Sequence, residues 1–160
     1  MILFRLVPTI ALAVCAAGSA SAASSSMNVC GMLTAKQVAA IGVPTNCKAT
    51  SLTGPGITSH TGTWGGSGPT AAHLGVSVVT YSNATLFQLG MRTLDKLPGI
   101  AKKVAGIGTL AYESGADGST LAAINFVVGK TIVGINLRTT KPPKSLAQLD
   151  AIATTIAKQS

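Results

Sequence analysis

Carboxylates are scarce in this chain: Asp and Glu together number 4 of 160 residues, beside 2 His and 3 Cys. Enzymes draw most general acids, general bases and metal ligands from these residue types, so most catalytic classes have too little material here. Charged residues make up 10%, well under the roughly 25% of average soluble proteins. Aromatics are 4%, with a single Trp, which argues against a nucleic-acid reader that stacks bases on aromatic side chains. The apolar run Leu6–Ala17 spans 12 residues, and crossing a bilayer takes about 20.

What remains is apolar, small and basic. Hydrophobic residues reach 47% and Gly numbers 18, enough for one ordinary domain with a buried core, so intrinsic disorder is not the expectation. With so few charges, the surface has to be covered by Ser, Thr, Asn and backbone. Lys and Arg number 12, giving a net charge of +8.

The first 22 residues carry one charge, Arg5, then the apolar run, then small residues ending Ala20-Ser21-Ala22. This is the pattern of a secretory signal peptide cut after Ala22. A membrane anchor is the first alternative, and the run is short for one. Lipidation at Cys15 is the second, through Leu12-Ala13-Val14-Cys15, where Val14 stands in place of the usual small residue. Cleavage after Ala22 leaves 138 residues, a net charge of +7 and two cysteines, Cys30 and Cys47. In an oxidising compartment two cysteines most simply pair. Metal pairs and redox couples usually present C-x-x-C, whereas 16 residues separate these two. The mature protein is therefore expected in the periplasm or secreted, with no transmembrane segment.

Residues 23–29 read as a polar, flexible leader and 30–160 as a single domain. Thr34-Ala35-Lys36-Gln37 is a T-x-x-Q capping box opening a short helix that Gly42 stops. From Cys47 to Tyr81 the pattern is short β segments broken at Gly54-Pro55-Gly56 and at Gly65–Pro69. Asn83–Leu97 has helical spacing, with Phe87, Gly90, Met91 and Leu94 on one stripe ended by Pro98-Gly99. Leu110–Glu113, Leu121–Val128 and Ile132–Arg138 read as strands, the first two joined by a turn at Asp117-Gly118. Ile124, Phe126, Val128, Val133, Ile135 and Leu137 are assigned to the core. A last helix opens at the second capping box, Ser145–Gln148, and Leu146, Leu149, Ile152, Ala153 and Ile156 follow its apolar face. The expected architecture is α+β, an antiparallel sheet of about five to six strands with two to three helices packed against it.

Each candidate for chemistry has a plainer reading beside it. Gly106-Ile107-Gly108-Thr109-Leu110-Ala111 matches G-x-G-x-x-A, but β pattern follows it and Lys130 stands where a dinucleotide site needs an acid, so it reads as a glycine turn. Gly66-Ser67-Gly68-Pro69 breaks the nucleophile-elbow pattern at its last glycine. Glu113 and Asp117 flank a turn, where Asp is ordinary turn chemistry. His60 and Trp64 share a face if their run is a strand, and stand out as candidate ligand-pocket residues. Otherwise Trp64 caps the core and His60 is solvated. Arg92, Lys96, Lys102 and Lys103 form a candidate anion-contacting cluster, or simply a solvated basic face. No metal ligands, cofactor site or catalytic residues are assigned.

Cys30-Gly31-Met32-Leu33-Thr34, Val38, Gly42 and Cys47, followed by Val104-Ala105-Gly106-Ile107-Gly108 and Ala111, resemble the small exported proteins and lipoproteins of unknown function common in actinobacteria. The resemblance runs from Cys30 to about Lys158. It departs at Lys48-Ala49, where members of that family often have Trp, and at Cys15, which matches their lipobox badly. It implies an α+β sandwich similar to kinase sensor domains and PsbP-like modules, and it supplies no catalytic residues.

The expected function is a non-enzymatic exported binding or sensor module taking a small apolar ligand or an envelope protein, with no nucleic acid. A basic envelope-associated protein contacting anionic lipid or cell-wall polymer is the first alternative. A small secreted hydrolase using His60 or His73 is the second.

Overall fold

The computed structural model describes residues 27–159, apart from 67, 69, 97–100, 116–119 and 141–146. The predicted cut after Ala22, the Asp117-Gly118 turn, the Pro98-Gly99 stop, and Ser145 and Leu146 of the second capping box lie outside the described residues. Along the chain come a 3₁₀ turn (Val29–Met32), α1 (Ala35–Ala40), β1 (Cys47–Gly54), β2 (Ile57–Gly65), β3 (His73–Tyr81), α2 (Ala84–Leu94), β4 (Lys102–Val104), β5 (Leu110–Ser114), β6 (Leu121–Val128), β7 (Thr131–Arg138) and α3 (Ala147–Ala157).

The seven strands form one sheet in the order β1-β2-β3-β7-β6-β5-β4, every neighbouring pair antiparallel. Two meanders build it. After β3 the chain crosses through α2 to the far edge, and β4 to β7 return until β7 closes against β3. The α+β class is as expected, and the strand count is higher than expected. The additional element in the second half is β4, three residues carrying two lysines, too short and too polar to show strand periodicity.

Local chemistry sets the boundaries. Gln37 N–H donates to Thr34 Oγ1 at 3.2 Å and Thr34 N–H donates to Gln37 Oε1 at 2.9 Å, so the predicted capping box closes α1. Gly42 follows at φ +77, a conformation that glycine adopts at little cost. Pro55-Gly56 joins β1 to β2 as a two-residue turn with Gly56 at φ +78. Asn83 caps α2, accepting from Thr85 N–H at 2.7 Å.

Strand alternation divides the residues between two faces. The core face carries Trp64, Leu74, Val76, Val78, Ile124, Phe126, Val133, Ile135 and Leu137, all buried. Of the six assigned core residues only Val128 is half-buried. The N-terminal segment covers one part of this face through Val29, Met32, Leu33, Val38, Ile41 and Val43, and α3 covers another through Leu149, Ile152, Ala153 and Ile156. Each fully buried aliphatic or Phe side chain contributes about 1.5–3 kcal/mol. Val29, expected in the flexible leader, is 1% exposed and starts the 3₁₀ turn. Its isopropyl group packs on Gly62 of β2, and Met27 packs against the core as well.

Cys30 and Cys47 are disulfide-bonded, with Cα atoms 5.9 Å apart. The bond ties the 3₁₀ turn to the first residue of β1 and holds the N-terminal cover on the sheet.

Candidate binding surface

The face opposite the core is covered over only part of its area. Helix α2 packs on β3 and β7 with the predicted stripe inward: Leu94 is buried, and Phe87 meets Tyr81 edge-on with ring centroids 5.9 Å apart. Gly90 has to be small, since a Cβ there would stand 2.6 Å from the Tyr81 hydroxyl and 3.0 Å from Ile132 Cδ1. Burial raises the Tyr81 phenol above its usual titration range. Apolar residues run in register from beneath this cover toward β5: Val79 opposite Ile132, Ile132 opposite Val127, and Val127 opposite Leu110.

Beyond α2 the character of the outer face changes within one row. Thr50, Thr61, Ser77, Gly134, Asn125, Tyr112 and Lys103 stand opposite one another in sequence across all seven strands. The next row runs Lys48, Thr63, Gly75, Asn136, Ala123 and Ser114. A third, shorter row sets His73 opposite Arg138 and Arg138 opposite Leu121. It borders an open cleft of about 540 Å³ lined by Thr70, Thr120, Leu121, Arg138, Thr139 and Thr140. Every side chain in these rows is exposed or half-buried, and the described outer-face strand positions include no Asp or Glu. An ordinary solvated sheet face carries long charged side chains on its polar half. Here hydroxyls, amides and bare glycines line the open platform, with Lys48 and Lys103 on its two edge strands.

The candidate residues fall in several places. His60, Gly62 and Trp64 share the core face of β2, as the strand reading required. Trp64 is 2% exposed, and its ring sits 3.1 Å from where a Gly62 Cβ would be, with Val29 at 2.9 Å. The indole is a core side chain. His60 is 5% exposed, and its Nδ1 is hydrogen-bonded to Ser51 Oγ at 2.8 Å. A buried, bonded imidazole replaces the expected solvated one, because β1 supplies a hydroxyl in register with it. His73 lies on the outer face, so the two histidines point to opposite sides of the sheet.

The basic cluster is divided as well. Arg92 and Lys96 are exposed at the end of α2, and Lys103 lies on the outer platform. Lys102, one residue away on a strand, turns to the other side, opposite Glu113 and near Asp150 of α3. Burial raises the Asp150 carboxyl above its usual range, and the Lys102 charge pulls the other way. Glu113 is 7% exposed on that same side. The described carboxylates of the strands and α3 thus gather on the core side of the β4–β5 edge, while Asp95 stands exposed beside Lys96 at the end of α2. The candidate turn partner Asp117 lies outside the described residues.

Among the described residues no three His, Cys, Asp or Glu side chains gather as a metal site would require, and no helix is long and apolar enough to cross a membrane. The platform residues Thr61, Thr63, Ser77, Asn125, Asn136 and Arg138 were not singled out by sequence reasoning. The signal was present in the polar half of each alternating strand. Assembling it requires the β3–β7 pairing, which joins residues about 60 positions apart. The chain matches no protein-family model, no curated protein and no solved structure, so this platform rests on its geometry alone.

Proposed function

We propose that the protein is an exported, non-enzymatic binding module of the cell envelope, and that its ligand lies against the uncovered polar rows of the sheet. One observation carries the reading: among the described residues, two adjacent rows of small polar residues cross the sheet with no covering helix, beside a row that α2 covers at β3 and β7. A hydrogen-bonding surface of this extent suits recognition through many weak polar contacts. The disulfide supports folding in an oxidising compartment, as export requires. The second alternative, a small secreted hydrolase using His60 or His73, draws on the Ser51–His60 hydrogen bond.

Hydroxyl-radical footprinting of the protein on envelope from its own host tests the reading. Tyr112 and His73 on the platform are expected to lose reactivity on binding, while Leu89 and Met91 of α2 keep theirs. Protection confined to α2, or to the α1 and α3 side, would refute it.

A further inference from the structure

We propose that the free edge of β1 pairs with β1 of a second copy of this chain, antiparallel and about a two-fold axis at Ser51, so that two copies share one sheet. The inference goes beyond the binding reading and stands whether or not the polar rows hold a ligand. The two edges of the sheet differ. At β4 the edge is three residues long with two lysines, the short and charged form that keeps other chains from pairing. At β1 it is eight residues long with a single charge, Lys48, and it runs without proline or bulge against β2. Lys48–Thr53 are all exposed, and Leu52, at 76%, is more exposed than the other large apolar side chains Leu89 and Leu121.

The backbone of β1 is only half used. Gly54 and Ile57 close the two-residue turn as a hydrogen-bonded pair. Hydrogen-bonded and non-hydrogen-bonded pairs alternate along an antiparallel ladder, so Ala49, Ser51 and Thr53 aim their N–H and C=O groups away from β2. Among the described residues these groups have no backbone partner. The Ser51 and His60 side chains, 2.8 Å apart between Oγ and Nδ1, show the close approach of a non-hydrogen-bonded pair.

The side chains of β1 favour a second copy as the occupant. A two-fold axis through Ser51, perpendicular to the sheet, sets Ser51 opposite Ser51, Ala49 opposite Thr53, Thr50 opposite Leu52 and Lys48 opposite Gly54. The three outward-facing residues of each copy then exchange hydrogen bonds with the same three of the other. The two lysines fall at opposite ends of the shared ladder. Six residue steps of about 3.4 Å hold them about 20 Å apart, beyond the roughly 8 Å over which charges act at physiological salt. Each Leu52 is drawn out of water against Thr50 of the other copy, with the other Leu52 diagonal to it. A foreign peptide strand would be read through pockets that take its alternate side chains, and the clefts beside Arg138 and beside Ser82 are lined by none of Lys48–Thr53.

Sedimentation velocity of the oxidised protein over a range of concentrations, with amide hydrogen exchange at the low and high ends, tests the pairing. Dimer is expected to form as concentration rises toward about 1 mM. The amides of Ala49, Ser51 and Thr53 are expected to exchange more slowly at the high end, and those of Lys102 and Lys103 to stay unchanged. Both copies are basic, so added salt is expected to strengthen association. Leu52→Lys, at an exposed position that leaves the fold intact, sets two like charges across the centre and is expected to weaken association at least about tenfold. Leu89→Lys makes the same change at an exposed position of α2 and is expected to associate as the parent does. A protein that stays monomeric up to about 1 mM, or association that dissolves as salt rises, would overturn the proposal. So would unchanged association of Leu52→Lys, equal weakening by both variants, or slowed exchange confined to other strands.

Discussion

Replacing both Cys30 and Cys47 with Ala removes the one covalent tie between the N-terminal cover and the sheet. The crosslinked residues are separated by 17 positions, and closing a loop of that size in the unfolded chain corresponds to about 3 kcal/mol of stability at 25 °C. Unfolding a domain of about 130 residues carries an entropy near 0.27 kcal/mol/K, from about 2.1 cal/mol/K per residue. The double variant is therefore expected to melt about 11 °C lower than the oxidised parent. Folded structure should persist, since the seven-stranded sheet and its buried residues do not involve the sulfurs. Circular dichroism melts of the variant, the oxidised parent and the reduced parent check this. Reduced parent and variant should agree. A shift below about 3 °C in both would refute the tie as a stabilising element, and loss of the strand signal at 25 °C would refute the independence of the sheet.

Gly62→Ala is expected to destabilise by about 1–3 kcal/mol by overpacking, because the new Cβ would lie 2.9 Å from Val29 Cγ1 and 3.1 Å from the Trp64 ring; denaturant unfolding measures it, and an unchanged midpoint would contradict the packing described. Ser51→Ala removes the hydrogen-bond partner of buried His60 at 2.8 Å and is expected to cost about 1–3 kcal/mol, whereas the hydrolase alternative would register its effect in activity rather than in stability. The raised Asp150 carboxyl holds its proton to higher pH in the folded chain than in the unfolded one, where it titrates near 3.8. Across that window the unfolded state releases more protons, so its contribution to stability is complete below about pH 3.8 and is lost as pH rises through the folded value. Lys102→Gln removes the opposing charge and should raise the carboxyl further, read from the Asp150 Cγ shift against pH; a downward shift would contradict the Lys102–Asp150 proximity.

The parts of the fold legible in the sequence are those written within a few residues. Thr34 and Gln37 announce α1, Pro55-Gly56 announces the first hairpin, and the alternation of Val133, Ile135 and Leu137 gives the core face of β7. The helix face of Leu149, Ile152, Ala153 and Ile156 is buried as its spacing requires. Lys102 and Lys103 look like one basic patch in sequence, and the two-residue period of a strand sends them to opposite faces. His60 and Trp64 attract notice as rare residues, yet register puts Ser51 beside one and Gly62 beneath the other. The platform is least legible. Its residues are common, and they become a surface only when β3 and β7 pair across the crossover through α2.

The central claim is that the open rows of the outer face are the binding surface, and Asn136→Asp tests it most directly. Asn136 is exposed in the second polar row, and the substitution adds one negative charge with almost no change in shape. Lys36→Gln, at an exposed position of α1 on the core side, changes the net charge by the same amount. Retention of each variant on host envelope, measured beside the parent, separates the surfaces. Asn136→Asp is expected to lose retention while Lys36→Gln keeps it; equal loss in both variants, or full retention by Asn136→Asp, would contradict the claim.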